Sequence, residues 1–90
     1  MQLYGYQRPR EKLRLQGVAI LTLAELLQLI IATGGARSSA ARIAREVESL
    51  LQTKQVSYDT LSSIRGMGDA KACQVLAAFE LAHRLQKEVP

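Results

Sequence analysis

Cysteine is nearly absent from this sequence. Cys73 stands alone in 90 residues, which excludes an intramolecular disulfide and removes any sign of an oxidising compartment. Histidine is as scarce, and His83 with Cys73 cannot assemble a Cys/His zinc site. Tryptophan is missing, and three Tyr with one Phe offer no aromatic-rich surface for stacking nucleobases. The richest apolar stretch, residues 18–32, is broken by Thr22, Glu25 and Gln28, so it does not span a bilayer. Residues 1–6 lack the apolar core of a signal peptide. A soluble, reducing, cytoplasmic setting is the expectation, with no membrane partner.

What is present is one small domain, too short for two independent cores. At 48% hydrophobic and 22% charged, the composition is globular rather than disordered. Twelve Lys and Arg against eight Asp and Glu leave a net charge of +4. That excess permits nucleic-acid binding, although modest positive charge also serves solubility. Its distribution is uneven. Residues 1–17 carry four bases and one acid, residues 18–56 four bases and three acids, and residues 57–90 four of each.

Only helical periodicity is visible. Pro9 suits the first position of a helix to Gln16, and Gly17 is placed to end it in a left-handed conformation. Thr22 and Glu25 form a capping box for a second helix, with Leu23, Leu26, Leu27, Ile30 and Ile31 on one face. Gly34-Gly35 stops it. Ser38 or Ser39 caps a third helix, burying Ile43, Ala44, Val47, Leu50 and Leu51. Residues 53–56 connect to a brief fourth helix, capped by Ser57 and ending near Ile64. Gly66-Met67-Gly68 makes a tight turn into a fifth helix, from about Asp69 to Gln86, burying Ala72, Val75, Leu76, Phe79 and Ala82. The expected fold is an all-α, compact five-helix bundle.

The segment from Leu61 to Val75 resembles a helix-hairpin-helix motif. Leu61 and Ile64 lie three apart, Gly66-Met67-Gly68 follows, and Ala72 stands four after the second glycine. The glycines let the backbone turn sharply and present N–H groups with no Cβ in the way. Met67 tucks between the helices, and Ala72 lets them cross closely. The turn opens a helix, where unpaired N–H groups and the dipole favour an anion. In modules of this kind the anion is a DNA phosphate, held without base readout and therefore sensitive to salt. The same turn also serves as a plain connection between two helices. A weaker copy of the pattern surrounds Gly34-Gly35, giving a second, pseudo-repeated hairpin.

The whole chain resembles the N-terminal domain of the RadC family of bacterial proteins, long described as DNA-repair proteins. The resemblance runs through Arg8-Pro9-Arg10-Glu11-Lys12-Leu13, then Leu21 with Ala24-Glu25-Leu26-Leu27, then Ala32-Thr33-Gly34 with Ala41-Arg42-Ile43-Ala44-Arg45. It continues through Ile64-Arg65-Gly66-Met67-Gly68, Ala70-Lys71-Ala72 and Phe79-Glu80-Leu81. It implies an N-terminal extension (residues 1–7), a helix-hairpin-helix domain (8–87), and the start of a linker (88–90) toward a C-terminal JAB/MPN-type metalloprotease-like domain. The zinc ligands of such a domain are absent, so the chain is either a piece of a longer protein or a truncated member, the Val89-Pro90 end favouring the former. Leu23 and Gly35 depart from the family pattern, and Gly35 loosens the first turn as a phosphate site.

The expected function is sequence-independent DNA binding without catalysis and without a cofactor. The phosphate-binding residues are Arg65, Gly66, Met67, Gly68 and Lys71, joined from the first turn by Gly34 and Arg37. Asp69 opposes them, since it favours the helix dipole but repels phosphate. The rival is a protein-interaction or scaffold module that positions the C-terminal domain; it requires an exposed apolar patch. Other residues have plainer readings. Cys73 reads as a buried structural thiol and His83 as a surface or packing residue. The basic run from Arg8 to Arg14 reads as a solvated face or as a contact for nucleic acid or an acidic partner. Arg42 and Arg45 share a helix face beside the first turn, and Arg42 can equally pair with Glu46.

Overall fold

The computed structural model describes residues 8–31 and 37–88, with the backbone alone for residues 37–39 and 88. Among the described residues are five α-helices, one turn of 3-10 helix (Val18–Ile20) and no strand. The all-α bundle expected from the periodicity is what forms.

Helix α1 (Pro9–Gln16) starts on its proline, and the Glu11 carboxylate accepts the Arg8 N–H at 3.2 Å. Gly17 closes it by donating its N–H to the Leu13 carbonyl at 2.8 Å. Its φ of 93° is positive as expected, but its ψ of 161° is extended rather than left-handed helical, because the chain passes directly into the 3-10 turn. Helix α1 buries no residue completely. It is joined to α2 (Leu23–Ile31) by an ion pair, Lys12 Nζ to Glu25 Oε2, 2.8 Å.

Helix α2 begins with the expected capping box. Thr22 N–H donates to Glu25 Oε1 at 2.9 Å, and Glu25 N–H donates to Thr22 Oγ1 at 3.1 Å. Leu27 and Ile31 are buried and Leu26 and Ile30 half-buried, but Leu23 is exposed. Opening the helix, Leu23 lies a full turn before Leu27, the first α2 residue in the core. Helix α3 (Arg37–Gln52) starts ahead of Ser38 and Ser39, so both serines lie inside its first turn and neither is its cap. The stop assigned to Gly34-Gly35 lies outside the described residues.

Ile43, Ala44 and Val47 of α3 are fully buried against Leu27 and Ile31, and Leu50 and Leu51 pack at the edge. Helix α4 (Tyr58–Ser62) ends two residues before Ile64, and α5 (Gly68–Glu88) begins on the second glycine. Leu61, Ile64, Met67, Ala72 and Val75 complete one core. Each large side chain fully buried there contributes about 1.5–3 kcal/mol. Leu76 and Phe79 pack at its margin, and beyond them the core partners of α5 run out. Ala82, expected inside, is therefore exposed.

Candidate nucleic-acid interface

The hairpin is built by successive turns. Ser57 Oγ accepts the Thr60 N–H at 3.1 Å, and Thr60 Oγ1 accepts the Ser57 N–H at 2.9 Å, which fixes the start of α4. Ile64 N–H then donates to the Leu61 carbonyl, and Met67 N–H to the Ile64 carbonyl, both at 3.0 Å. Gly66 and Gly68 take positive φ, 91° and 72°. Between them Met67 is 1% exposed, plugged into the core beside Leu61 and Ala72.

The two glycines do different work. A Cβ on Gly66 would lie 3.2 Å from Ile43 Cδ1 and 3.4 Å from Arg42 Nη2, so this glycine lets the turn press against α3. A Cβ on Gly68 would meet nothing within 4 Å. Gly68 faces open space at the start of a 21-residue helix. The N–H groups of Gly68, Asp69 and Ala70 have no helical acceptor, as at any helix start, and none takes another acceptor among the described residues. The Gly66 N–H likewise takes no acceptor among the described residues, whereas the Met67 N–H is already used within the turn.

Charged groups surround the turn unevenly. Arg65 is exposed, and its guanidinium has no hydrogen bond or ion pair among the described residues. Lys71 is half-buried on the first turn of α5. Asp69 is held by Tyr58, whose hydroxyl donates to Asp69 Oδ1 at 2.6 Å. That hydrogen bond, and then the charge of Asp69, raise the ionisation of Tyr58 above its ordinary value. Arg42 bridges α3 and the turn: Nη1 meets Glu46 Oε2 at 2.7 Å, and Nη2 donates to the Arg65 carbonyl at 2.8 Å. The surface pair expected of Arg42 and Glu46 is present, and Arg42 also braces the turn at Arg65.

The remaining candidates disperse. Gly34 lies outside the described residues, and for Arg37 only the backbone, opening α3, is described. Cys73 is exposed rather than buried, because it stands one residue past Ala72 and so about 100° further round the helix. Its Sγ lies 4.0 Å from Asp69 Oδ1. His83 is exposed on α5. An open groove between α3 and α4, lined by Glu46, Ser49, Leu50, Asp59, Thr60, Ser63 and Ile64, carries two carboxylates and no basic side chain, which does not suit an anion. Among the described residues no three His, Cys, Asp or Glu side chains gather as metal ligands, and no helix is long and apolar enough to cross a membrane.

The brace from Arg42 and the Tyr58 bond to Asp69 were not legible in the sequence. A side chain reaching a backbone carbonyl leaves no residue pattern, and Tyr58 and Asp69 are joined only by the hairpin's closure.

Residues 2–73 match the family model described as UPF0758 N-terminal. A UPF0758 protein of Porphyromonas gingivalis is 41% identical over 96 residues, covering 99% of this chain and 42% of that protein. One of Ralstonia pickettii is 42% identical over 88 residues, covering 93% and 39%. One of Methanococcoides burtonii is 40% identical over 82 residues, covering 88% and 36%. The chain thus spans about two-fifths of the length of these relatives. No solved structure matches it.

Proposed function

The chain belongs to the UPF0758 N-terminal family, the RadC-like family, and on that premise we propose that it is a non-enzymatic, sequence-independent DNA-binding domain. One observation carries this. Three N–H groups, of Gly68, Asp69 and Ala70, with no acceptor among the described residues, stand at an open helix start whose turn is locked to the core by Met67 and to α3 by Arg42. A phosphate oxygen suits such a site, because oriented donors and the helix dipole both favour negative charge without reorganising. Exposed Arg65 and the nearby Lys71 add positive potential. Contacts of this kind position a duplex without reading its bases.

Residues 57–90, which hold the hairpin, have no net charge, so affinity for DNA should lie in the non-specific range, a Kd of about 10⁻⁴–10⁻⁶ M. Titrating the amide spectrum of the labelled chain with a short duplex tests the site. Shifts centred on Gly68, Asp69 and Ala70 support it, and shifts confined to α1 with its basic face would reject it.

A second reading, a module that docks the remainder of the longer family proteins, is favoured by a separate observation. Leu15, Val18, Ile20 and Leu23 near the N-terminal end, and Leu81 and Leu85 on α5, are large apolar side chains left in solvent. The resemblance to the RadC family makes that remainder a JAB/MPN-like domain.

A further inference from the structure

Helix α5 continues well past the core it helps to form. Its inward anchors are Ala72, Val75, Leu76 and Phe79, whereas residues 80–87 are all exposed. About two turns of helix therefore project with no tertiary partner among the described residues, and an isolated helix of that length is marginal in water. The projecting part is not polar all round. Leu81, Ala82 and Leu85, preceded by half-buried Ala78, follow at steps of three, one and three, which places them in one stripe about a third of the helix circumference wide. Leu81 is 60% and Leu85 55% exposed. Glu80 and Arg84 pair with each other at 2.9 Å outside the stripe, so they leave its apolar surface uncovered.

We propose that this stripe is the docking surface for the remainder of the longer family proteins, the polypeptide that follows the matched N-terminal segment. Two observations select that occupant over a second copy of the chain. Two leucines and two alanines on little more than two turns offer far less than the roughly 800 Å² per partner that a stable association between free proteins needs. A tethered partner needs much less, because a short connection converts docking into an intramolecular event at millimolar effective concentration. The stripe also lies in the last turns of the final helix, and the relatives extend to more than twice the length that this chain covers. This rests on the docking reading, and it specifies which of the two apolar surfaces is used.

The test replaces the matched segment of the Porphyromonas gingivalis relative with this chain and compares its amide hydrogen exchange with that of the chain alone. Exchange at residues 80–87 should slow about tenfold or more in the long protein, and Leu81→Glu with Leu85→Glu should abolish the slowing. Both leucines are exposed in the chain alone, so the double variant should keep its folded spectrum there. Slowing at residues 15–23 with none at 80–87 would overturn this inference while leaving the docking reading in place. No slowing anywhere would overturn both. Dimerisation of the isolated chain that the double variant abolishes would assign the stripe to a second copy instead.

Discussion

The Arg42 guanidinium donates to the carbonyl of Arg65 at 2.8 Å and to the Glu46 carboxylate at 2.7 Å, so a residue of α3 fixes the hairpin turn from 23 positions away. The turn is thereby held from two directions, by Met67 within the core and by Arg42 at the surface. A phosphate site made of backbone N–H groups depends on that rigidity, since donors that must first be ordered give up part of their binding energy.

Arg42→Ala should loosen the turn without unfolding the domain. The expected stability loss is about 0.5–1.5 kcal/mol, the net worth of a partly exposed hydrogen bond. Amide exchange at residues 65–68 should accelerate more than in α2. Arg42→Lys should not restore protection, because an ammonium lacks the planar fork that reaches both acceptors.

Gly66 and Gly68 should differ on substitution. Positive φ alone costs an alanine about 1–2 kcal/mol at either position. Gly66→Ala adds a contact with Ile43 Cδ1 at 3.2 Å, whereas Gly68→Ala meets open space. Urea unfolding should therefore rank Gly66→Ala as the less stable. Equal losses would mean that the close approach to α3 carries no energy.

Acid should weaken the junction of α1 and α2 in a defined way. The hydrogen bond from Lys12, then that from the Thr22 backbone, hold the Glu25 carboxyl below its ordinary value. A depressed carboxylate stabilises the fold above its unfolded-state value, and the contribution is lost as the pH falls through the folded-state value. Glu25→Ala should cost about 1–2 kcal/mol at neutral pH, mostly through the lost cap. Glu25→Gln should flatten the acid limb of a plot of unfolding free energy against pH.

Asp69 should act as a brake on anion binding. Asp69→Asn removes a negative charge beside the donors, and duplex binding at low salt should tighten about two- to fivefold. Asp69→Ala removes both main causes of the raised Tyr58 ionisation, the accepted hydrogen bond and the charge of Asp69. A spectrophotometric titration should then show phenolate appearing at lower pH. Unchanged titration would mean that the Tyr58–Asp69 hydrogen bond does not persist in solution.

Much of this architecture was legible in the sequence for local reasons. Thr22 with Glu25 and Ser57 with Thr60 satisfy backbone groups within three residues, so α2 and α4 begin where short-range chemistry places them. Spacing also marked Leu61, Ile64, Met67 and Ala72 as the hairpin's interior, and all four are buried. Errors arose where burial depends on what lies opposite. Leu23, Cys73 and Ala82 occupy regular helix, yet no partner element covers them. The site was legible in outline only. Glycine spacing located the turn, but Met67 spends its N–H on Ile64, and the donors of the helix start lie one to three residues further on.

The central claim is that the open start of α5 holds DNA phosphate. Fluorescence anisotropy of a labelled duplex across a salt series, with the native chain, Gly68→Asn and Gly68→Glu, tests it most directly. Asn tolerates the left-handed conformation, so it separates backbone strain from the charge that Glu places on the donors. The expected result is native binding that weakens steeply with salt, is largely kept by the folded Asn variant and is lost in the folded Glu variant. Equal binding by all three, or native binding no stronger than that of an unrelated protein of the same net charge, would contradict it.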